Sequence, residues 1–160
     1  MRIEKILVPT DFSENAQEAF EKACDLARQL QAKLYVLHIQ DGSALRVAIR
    51  EGLLSADSTD EQLQTTIHQL IAERFSQIWA GLDCTQFSIE CVSRQGSPKA
   101  GIVKYAKEIN ADMVVIGMRG ITAMSMVTSA ALGSVAESVL RRSPCPTLIV
   151  RIEHRRDRVE

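Results

Sequence analysis

The stretch KILVPTDFSENA, from Lys5 to Ala16, contains the change from strand to helix that repeats along the whole chain. Its first half is a short apolar run that ends at a proline, which is typical of a strand buried on both faces of a sheet. Asp11 and Ser13 follow, and either side chain could cap the first turn of a helix. Apolar residues then repeat at helical spacing, so the stretch predicts a buried strand, a turn and an amphipathic helix. The helix residues predicted to face the core are Ala16, Ala19, Phe20, Ala23, Cys24, Ala27 and Leu30.

Four more stretches predict strands. Each is a short run of aliphatic and β-branched residues, and helical patterns lie between them. The run near residue 90 alternates in polarity, which is typical of a strand at a sheet edge with one wetter face. In chain order, the five predicted strands are residues 5–10, 33–39, 87–94, 112–117 and 147–152.

Capping signals mark the starts of further helices. A short helix is predicted at residues 44–51, and Ser58-Thr59-Asp60-Glu61 predicts a capping box at the start of a long helix. Pro98 suits the first turn of the next helix, and Ser134 is predicted to cap the last one. The residues predicted to face the core from the three longer helices are Leu63, Ile67, Leu70, Ile71, Phe75, Ile78 and Trp79, then Ile102, Val103, Tyr105, Ala106 and Ile109, and finally Val135, Val139 and Leu140.

Strands that alternate with helices predict an α/β fold, in which helices cover both faces of a parallel sheet. The predicted class is a doubly wound five-stranded sheet of order 3-2-1-4-5 in one domain at residues 1–152, followed by a basic tail at residues 153–160. Ligands of such sheets bind beyond the carboxyl ends of the strands where the order reverses, here between strands 1 and 4. Those two ends carry Pro9-Thr10-Asp11 and Gly117-Met118-Arg119-Gly120. The sequence therefore predicts a ligand site at this crevice.

Composition and charge narrow the function. The formal net charge is -1, so no overall field favours nucleic acid or a membrane surface, and no apolar run is long enough to insert across a membrane. The four cysteines form no C-x-x-C pair, which favours reduced thiols in a cytoplasmic protein. The histidines show no ligand spacing, so no metal site is predicted. His38 is expected to pack near a strand end, with a ring nitrogen bonded to the backbone.

Three stretches, ILVPTDFSENA, ADMVVIGMRG and GSVAESVLRRSPCPTLIV, together with the spacing between them, resemble the universal stress protein family. The resemblance spans nearly the whole chain, from Ile6 to Val150. It implies the five-stranded fold predicted above, a cytoplasmic location and a homodimer. Many members of the family bind ATP, so the resemblance also implies ATP as the ligand, with Mg²⁺ or without it, and AMP or ADP as alternatives.

The resemblance assigns individual residues to the nucleotide through the family signature G-x2-G-x9-G-[ST]. Asp11 corresponds to the aspartate that lines adenine and ribose, and Ile39 to the position whose backbone meets adenine. The glycines let the backbone approach phosphate oxygens, and amides at the start of a helix attract anions. Arg119 is a candidate phosphate contact, although a solvated surface charge is the favoured interpretation. The full set of candidate binding residues is Pro9, Thr10, Asp11, Ile39, Ile116, Gly117, Arg119, Gly120, Gly133, Ser134 and Val135.

The chain departs from the family signature in one respect. Twelve residues, 121–132, separate Gly120 from Gly133, where the family has nine. The extra residues can bulge outward and leave both ends in place, or fold inward and fill the pocket with flexible side chains such as Met124 and Met126. Nucleotide binding is the favoured function. The alternative is a nucleotide-free interaction module of the same fold, whose long loop fills the site or binds an unknown protein partner.

Other proteins with similar sheets require residues that this chain lacks. A response-regulator receiver needs paired acids after strand 1 and an aspartate at the end of strand 3. Flavodoxins, pyrophosphatase-type nucleotide proteins and Rossmann dehydrogenases need glycines after strand 1, and PTDFSENA has a single aspartate and no glycine. No catalytic residue is assigned, because Asp11 is the sole carboxylate predicted at the crevice. At most, slow ATP hydrolysis is expected.

The last predicted strand indicates how the protein assembles. In the order 3-2-1-4-5 this strand lies at an edge, and TLIVRI is β-branched and almost uncharged. Such an edge tends to pair with another chain. A homodimer through the strand from Thr147 to Ile152 is therefore predicted, because two-fold antiparallel pairing brings one patch against itself. The alternative is that the tail from Glu153 folds back and covers the edge.

Overall fold

The structure is a computed structural model that describes residues 1–55, 57–80, 86–119 and 131–152. Within those ranges, five strands alternate with helices. In chain order the elements are β1 (Lys5–Pro9), α1 (Glu14–Leu30), β2 (Lys33–Gln40), α2 (Ser43–Arg50), α3 (Asp60–Trp79), β3 (Ile89–Gln95), α4 (Pro98–Glu108), β4 (Met113–Gly117), α5 (Ser134–Arg142) and β5 (Thr147–Val150). No helix in these described ranges is long and apolar enough to cross a membrane.

The strands form one sheet in which every neighbouring pair is parallel, with the order β3-β2-β1-β4-β5. The predicted fold class and strand order are confirmed. The order reverses between β1 and β4, so the two carboxyl ends at that point flank a crevice. On the other side of β1, pairing with β2 stops at Pro9 opposite Leu37, whereas β2 continues along β3 as far as Gln40 opposite Gln95. The end of β2 therefore extends beyond the end of β1.

Two apolar clusters hold the sheet between its helices. Alternate residues of a strand point to opposite faces, so Ile6 and Val8 pack with α1 and α3, whereas Leu7 packs with α4 and α5. Completely buried side chains such as Phe20 and Leu37 each contribute about 1.5–3 kcal/mol relative to an exposed position. Helices therefore cover both faces, as predicted.

The helix faces agree with the predicted core positions except at the ends of two helices. In α1 the predicted residues from Ala16 to Ala27 are buried, but Leu30 is 43% exposed. Leu30 is the last residue of α1, and Gln31 follows in a left-handed conformation, so the apolar repeat extends past the part of the helix that contacts the sheet. In α5 Val139 is buried, whereas its neighbour Leu140 is 50% exposed because one step around a helix turns a side chain by about 100°. The side chain of Trp79 lies outside the described part of the chain.

Two predicted helix caps are wrong by one residue. The capping box of α3 joins Thr59 to Gln62, through Gln62 N–H to Thr59 Oγ1 (3.3 Å) and Thr59 N–H to Gln62 Oε1 (2.9 Å). The Ser58 hydroxyl instead accepts the backbone N–H of Ser55 (2.9 Å), so it caps a turn rather than the helix. At α5 the cap is Gly133, and Ser134 is already the first helical residue. Strand bounds differ from the predicted ones by one or two residues.

Candidate functional site

The turn after β1 is held by short-range hydrogen bonds. Thr10 Oγ1 accepts the N–H of Phe12 (3.0 Å), and Asp11 Oδ1 accepts the N–H of Ser13 (3.0 Å). Ser13 Oγ then accepts the N–H of Ala16 (3.2 Å), so Ser13, rather than Asp11, caps α1. This arrangement places the Asp11 carboxylate in the turn itself, half-buried at the end of β1.

Phe12 adopts a left-handed backbone conformation, with a φ of 62°. Such a conformation costs roughly 1–2 kcal/mol for a residue with a side chain, so other contacts must stabilise it. The Phe12 ring lies 4.7 Å from the His38 ring and 5.4 Å, edge to face, from the Phe75 ring, measured between centroids. These contacts connect the turn after β1 to the end of β2 and to α3.

His38 lies near the end of β2, and its ring connects β2 to β1. Its side chain is buried, and Nδ1 lies 2.9 Å from the carbonyl oxygen of Thr10. The prediction of a strand-end histidine bonded to the backbone is confirmed. Because a carbonyl only accepts, Nδ1 carries the proton. Burial lowers the pKa of His38, although the Thr10 bond and the carboxylates of Asp41 and Asp11 oppose that shift. The ring is therefore neutral at neutral pH.

The backbone of Ile39 faces the crevice. The carbonyl of Leu37 accepts the N–H of Thr10 (2.8 Å), so the backbone groups of Leu37 point towards β1. In a parallel ladder, alternate residues direct their N–H and C=O groups to the same neighbour, and Gln40 accordingly accepts the N–H of Gly96 (3.1 Å) on the opposite side. Ile39 therefore presents one donor and one acceptor towards β1, beyond the last paired residue of that strand.

Gly117, at the end of β4, permits a close approach to α1. A Cβ atom at this position would lie 2.6 Å from the carbonyl oxygen of Asn15 and 2.8 Å from its carbonyl carbon. Since both atoms belong to the backbone, a side chain here would force the strand and the helix apart. The family signature predicts that this glycine lets phosphate approach, and no pattern in the sequence indicates its contact with α1. The contact brings the first turn of α1 against the end of β4.

The start of α5 lies at the same strand end. The N–H of Gly133 donates to the carbonyl of Met118 (2.8 Å), and the carbonyl of Gly133 accepts the N–H of Glu137 (2.9 Å). Gly133 caps α5 with no side-chain hydrogen bond, so the amides of Ser134 and Val135 at the first turn receive no cap from it. The amino-termini of α1 and α5, both partially positive, thus converge at the end of β4.

The structure places most of the predicted site residues on one rim. Gly120 lies outside the described residues, as do Met124 and Met126 in the long loop. Arg119 is half-buried, and its Nε–H donates to the carbonyl of Ala131 (3.1 Å). Among the described residues, no group of three His, Cys, Asp or Glu side chains comes together as a metal cluster. The rim at the ends of β1 and β4 thus combines backbone amides, the carboxylate of Asp11 and two helix amino-termini. Such a set can bind an anion that carries a polar group at its other end.

Comparisons with known proteins agree with this geometry. The sequence model of the universal stress protein family matches residues 2–151. A putative universal stress protein of Staphylococcus haemolyticus is 34% identical over 152 residues, which cover 92% of this chain and 84% of the relative. The solved universal stress protein UspA from Lactobacillus plantarum is 29% identical, with a TM-score of 0.70 and coverage of 94% of this chain and 99% of that one.

Two further solved structures contain nucleotides. One is a universal stress protein in complex with cAMP, 23% identical, with a TM-score of 0.63 and coverage of 94% of this chain and 98% of that one. The other, from Archaeoglobus fulgidus, is in complex with dAMP, is 23% identical and has a TM-score of 0.57, with coverage of 93% and 98%. Both share the fold of this chain.

Proposed function

The chain belongs to the universal stress protein family, and from that premise we propose that it binds an adenine nucleotide, ATP or AMP, with ADP as an alternative. The phosphates would lie at the start of α5 and the base between the ends of β1 and β2. Gly120, the second glycine of the family signature, belongs to the same proposed set, as do Pro9 and Ile116, which directly precede Thr10 and Gly117. The protein would act as a nucleotide-responsive regulatory protein of the stress response.

The observation that carries the proposal is the meeting of two helix amino-termini at Gly117 and Met118. The first turn of α1 packs on Gly117, and Gly133, the cap of α5, donates its N–H to the carbonyl of Met118. Each amino-terminus is equivalent to roughly half a positive charge. α1 is capped by Ser13, whereas α5 begins at a glycine with no side-chain cap. The amides of Ser134 and Val135 are therefore suited to phosphate oxygens.

The opposite end of the crevice suits a purine. The backbone N–H and C=O of Ile39 form an adjacent donor and acceptor, which matches the acceptor N1 and the donor N6 of adenine. The Asp11 carboxylate accepts hydrogen bonds, so it suits a ribose hydroxyl or an amino group. Thr10, whose backbone bonds to both Leu37 and His38, fixes the turn that carries Asp11.

Two relatives support the choice of adenine. The ligands named for the solved universal stress proteins, cAMP and dAMP, each combine adenine with one phosphate. Because those proteins share the fold of this chain, the fold is compatible with such a ligand. ATP would add two phosphates, with Mg²⁺ as their counter-ion, towards the glycine loop.

The chemistry of the crevice favours binding over turnover. Hydrolysis of ATP needs a base that orients water near the terminal phosphate. The Asp11 carboxylate, already bonded to the N–H of Ser13, lies at the proposed ribose end rather than at α5. We therefore propose a binding protein in the cytoplasm, with slow hydrolysis at most.

We also propose that two copies pair through β5. The carbonyls of Pro146 and Val150 accept the N–H groups of Val114 in β4 and of Met118 directly after it, so the backbone of Ile149, which alternates with them, faces away from β4. Leu148 on the same strand is 41% exposed. The other edge, β3, carries Glu90 paired with Lys33 (2.7 Å) and is protected by charge. The apolar edge of β5 suits a second copy of the chain.

Calorimetric titration of the purified protein tests the nucleotide proposal. ATP, ADP, AMP and cAMP are each titrated with and without Mg²⁺, and GMP and adenosine serve as controls for the base and the phosphate. We expect saturable binding of AMP or ATP, weaker binding of adenosine and none of GMP. Absence of heat with every adenine nucleotide, and no nucleotide released from the purified protein on denaturation, would favour the nucleotide-free module instead.

A further inference from the structure

Two hydrogen bonds close the base of the long glycine loop. The N–H of Gly133 donates to the Met118 carbonyl (2.8 Å), and one residue further out Arg119 Nε–H donates to the Ala131 carbonyl (3.1 Å). A third bond, from Met118 N–H to the Val150 carbonyl (2.7 Å), attaches this base to β5. We call Met118, Arg119, Ala131 and Gly133 the neck of the loop. It joins the end of β4 directly to the start of α5.

We propose that Arg119 is a positioning residue of the nucleotide site, whose Nε–H fixes the segment that leads into α5. This inference rests on the proposed function, because it concerns the amides at Ser134 and Val135 that would bind phosphate. Arg119 acts on them through Ala131 and Gly133. A charge contact between Arg119 and phosphate is the competing role.

The geometry favours positioning. Nε is the guanidinium nitrogen nearest the backbone, so a bond through it holds the side chain against the neck. Arg119 is half-buried there, and Leu132, between the two bonded residues, packs against the apolar cluster of α4 and α5. Both ends of the neck are therefore anchored, one to β5 and the other to the core. Within the described part of the chain, the bonds of the neck join residues 118–119 to residues 131–133.

Two substitutions separate the donor of Arg119 from its charge. In Arg119→Gln the amide nitrogen stands the same number of bonds from Cα as Nε does, so the donor is kept and the charge is lost. In Arg119→Lys a methylene group takes the place of Nε, so the charge is kept and that donor is lost. Arg119→Ala removes both. The three variants thus form a matched set.

The neck is read out first without nucleotide, by hydrogen exchange at the Gly133 amide. Loss of a hydrogen bond that contributes as an average one does changes a local equilibrium by about five- to tenfold. We expect exchange at Gly133 to be about that much faster in Arg119→Lys and Arg119→Ala, and unchanged in Arg119→Gln. Equal exchange in all four proteins would overturn the positioning role, whether or not any nucleotide binds.

Affinity then connects the neck to the ligand. We expect AMP to bind Arg119→Gln as it binds the wild type, and Arg119→Lys about five- to tenfold more weakly, with adenosine unaffected in every variant. The reverse order, in which lysine retains AMP affinity and glutamine loses it, would assign Arg119 to direct charge contact and refute the inference. A wild-type protein that binds no nucleotide would contradict the proposed function alone, because the exchange measurement still tests the neck.

Discussion

Replacing Gly133 with aspartate should block the phosphate site from within the chain. Gly133 is the cap of α5, with φ −66° and ψ 150°, a conformation open to any residue. An aspartate here is a favourable cap, since its carboxylate can accept the amide of Val135 or Ala136. The fold should therefore become more stable, by a few tenths to about 1 kcal/mol. The same carboxylate occupies the amides that phosphate would need.

The electrostatic cost to a ligand can be worked from this placement. Two unit charges 4 Å apart repel by about 4 kcal/mol at an effective dielectric constant of about 20. Gly133 is only half-buried, so solvent screening reduces this to roughly 2 kcal/mol, which is about a 30-fold loss of affinity. Gly133→Asn is the matched control, because asparagine has the same shape and also caps the helix but carries no charge. We expect its AMP affinity to fall by only a few-fold.

Calorimetry with AMP and thermal unfolding of both variants measure the two effects together. The difference between aspartate and asparagine isolates the charge, and it should shrink in 0.5 M salt, where the Debye length is only about 4 Å. If a folded Gly133→Asp variant binds AMP as tightly as Gly133→Asn does, no phosphate lies at the start of α5, and the proposed orientation of the nucleotide is wrong.

Three further predictions concern other parts of the fold. Burial lowers the pKa of His38 in the folded state below its unfolded value of about 6.5. The contribution of His38 to the free energy of unfolding is therefore complete above that pH and is lost as the pH falls towards the folded pKa. In urea unfolding, the stability of the wild type should drop more between pH 7.5 and 5.5 than that of His38→Gln, and equal drops would contradict this. In Gly101→Ala the new Cβ would lie 2.8 Å from Ile39 Cδ1, the free end of a side chain, so this contact should offset the gain of about 1 kcal/mol that alanine brings inside a helix. Ile39→Val removes that atom, so the double-mutant cycle should show a coupling between the two positions, and additive effects would show that they do not interact. Ile149→Pro removes an N–H from the open side of β5, so light scattering should show a dimer for the wild type and a monomer for the variant. A wild-type protein that is monomeric at micromolar concentration would refute the dimer.

The sheet order could be predicted from the sequence because each strand is a short apolar run and the crossovers have one hand. The ends of the elements could not. Leu30 and Leu140 continue the apolar repeat of their helices, but the repeat contains no information on where the sheet beneath a helix stops. Serine is a favoured capping residue, but Thr59 rather than Ser58 caps α3, and Gly133 rather than Ser134 caps α5. The Ser58 hydroxyl accepts the N–H of Ser55 instead of a helix N–H, and Gly133 has the extended backbone conformation of a residue that precedes a helix.

The location of the candidate site could be predicted from the sequence, whereas most of the contacts that shape it could not. Asp11, Gly117 and Gly133 could be assigned to one rim because the strand order brings their elements together. Gly117 and Asn15, which are in contact, lie about 100 residues apart in the sequence, so no local pattern indicates this contact. The bond between Arg119 and Ala131 spans the long loop. That loop is entropically inexpensive, since lengthening it from nine to twelve residues costs about 0.3 kcal/mol.

The most direct test of the proposed function follows backbone amide resonances during titration with AMP and, separately, with adenosine. If the phosphate lies at the start of α5 and the base beside β2, AMP should shift the amides of Ser134, Val135 and Ile39. Adenosine, which lacks the phosphate, should shift Ile39 and leave Ser134 and Val135 in place. Saturable shifts from AMP that avoid both Ile39 and the first turn of α5, or no shifts at millimolar AMP, would contradict the proposed nucleotide site.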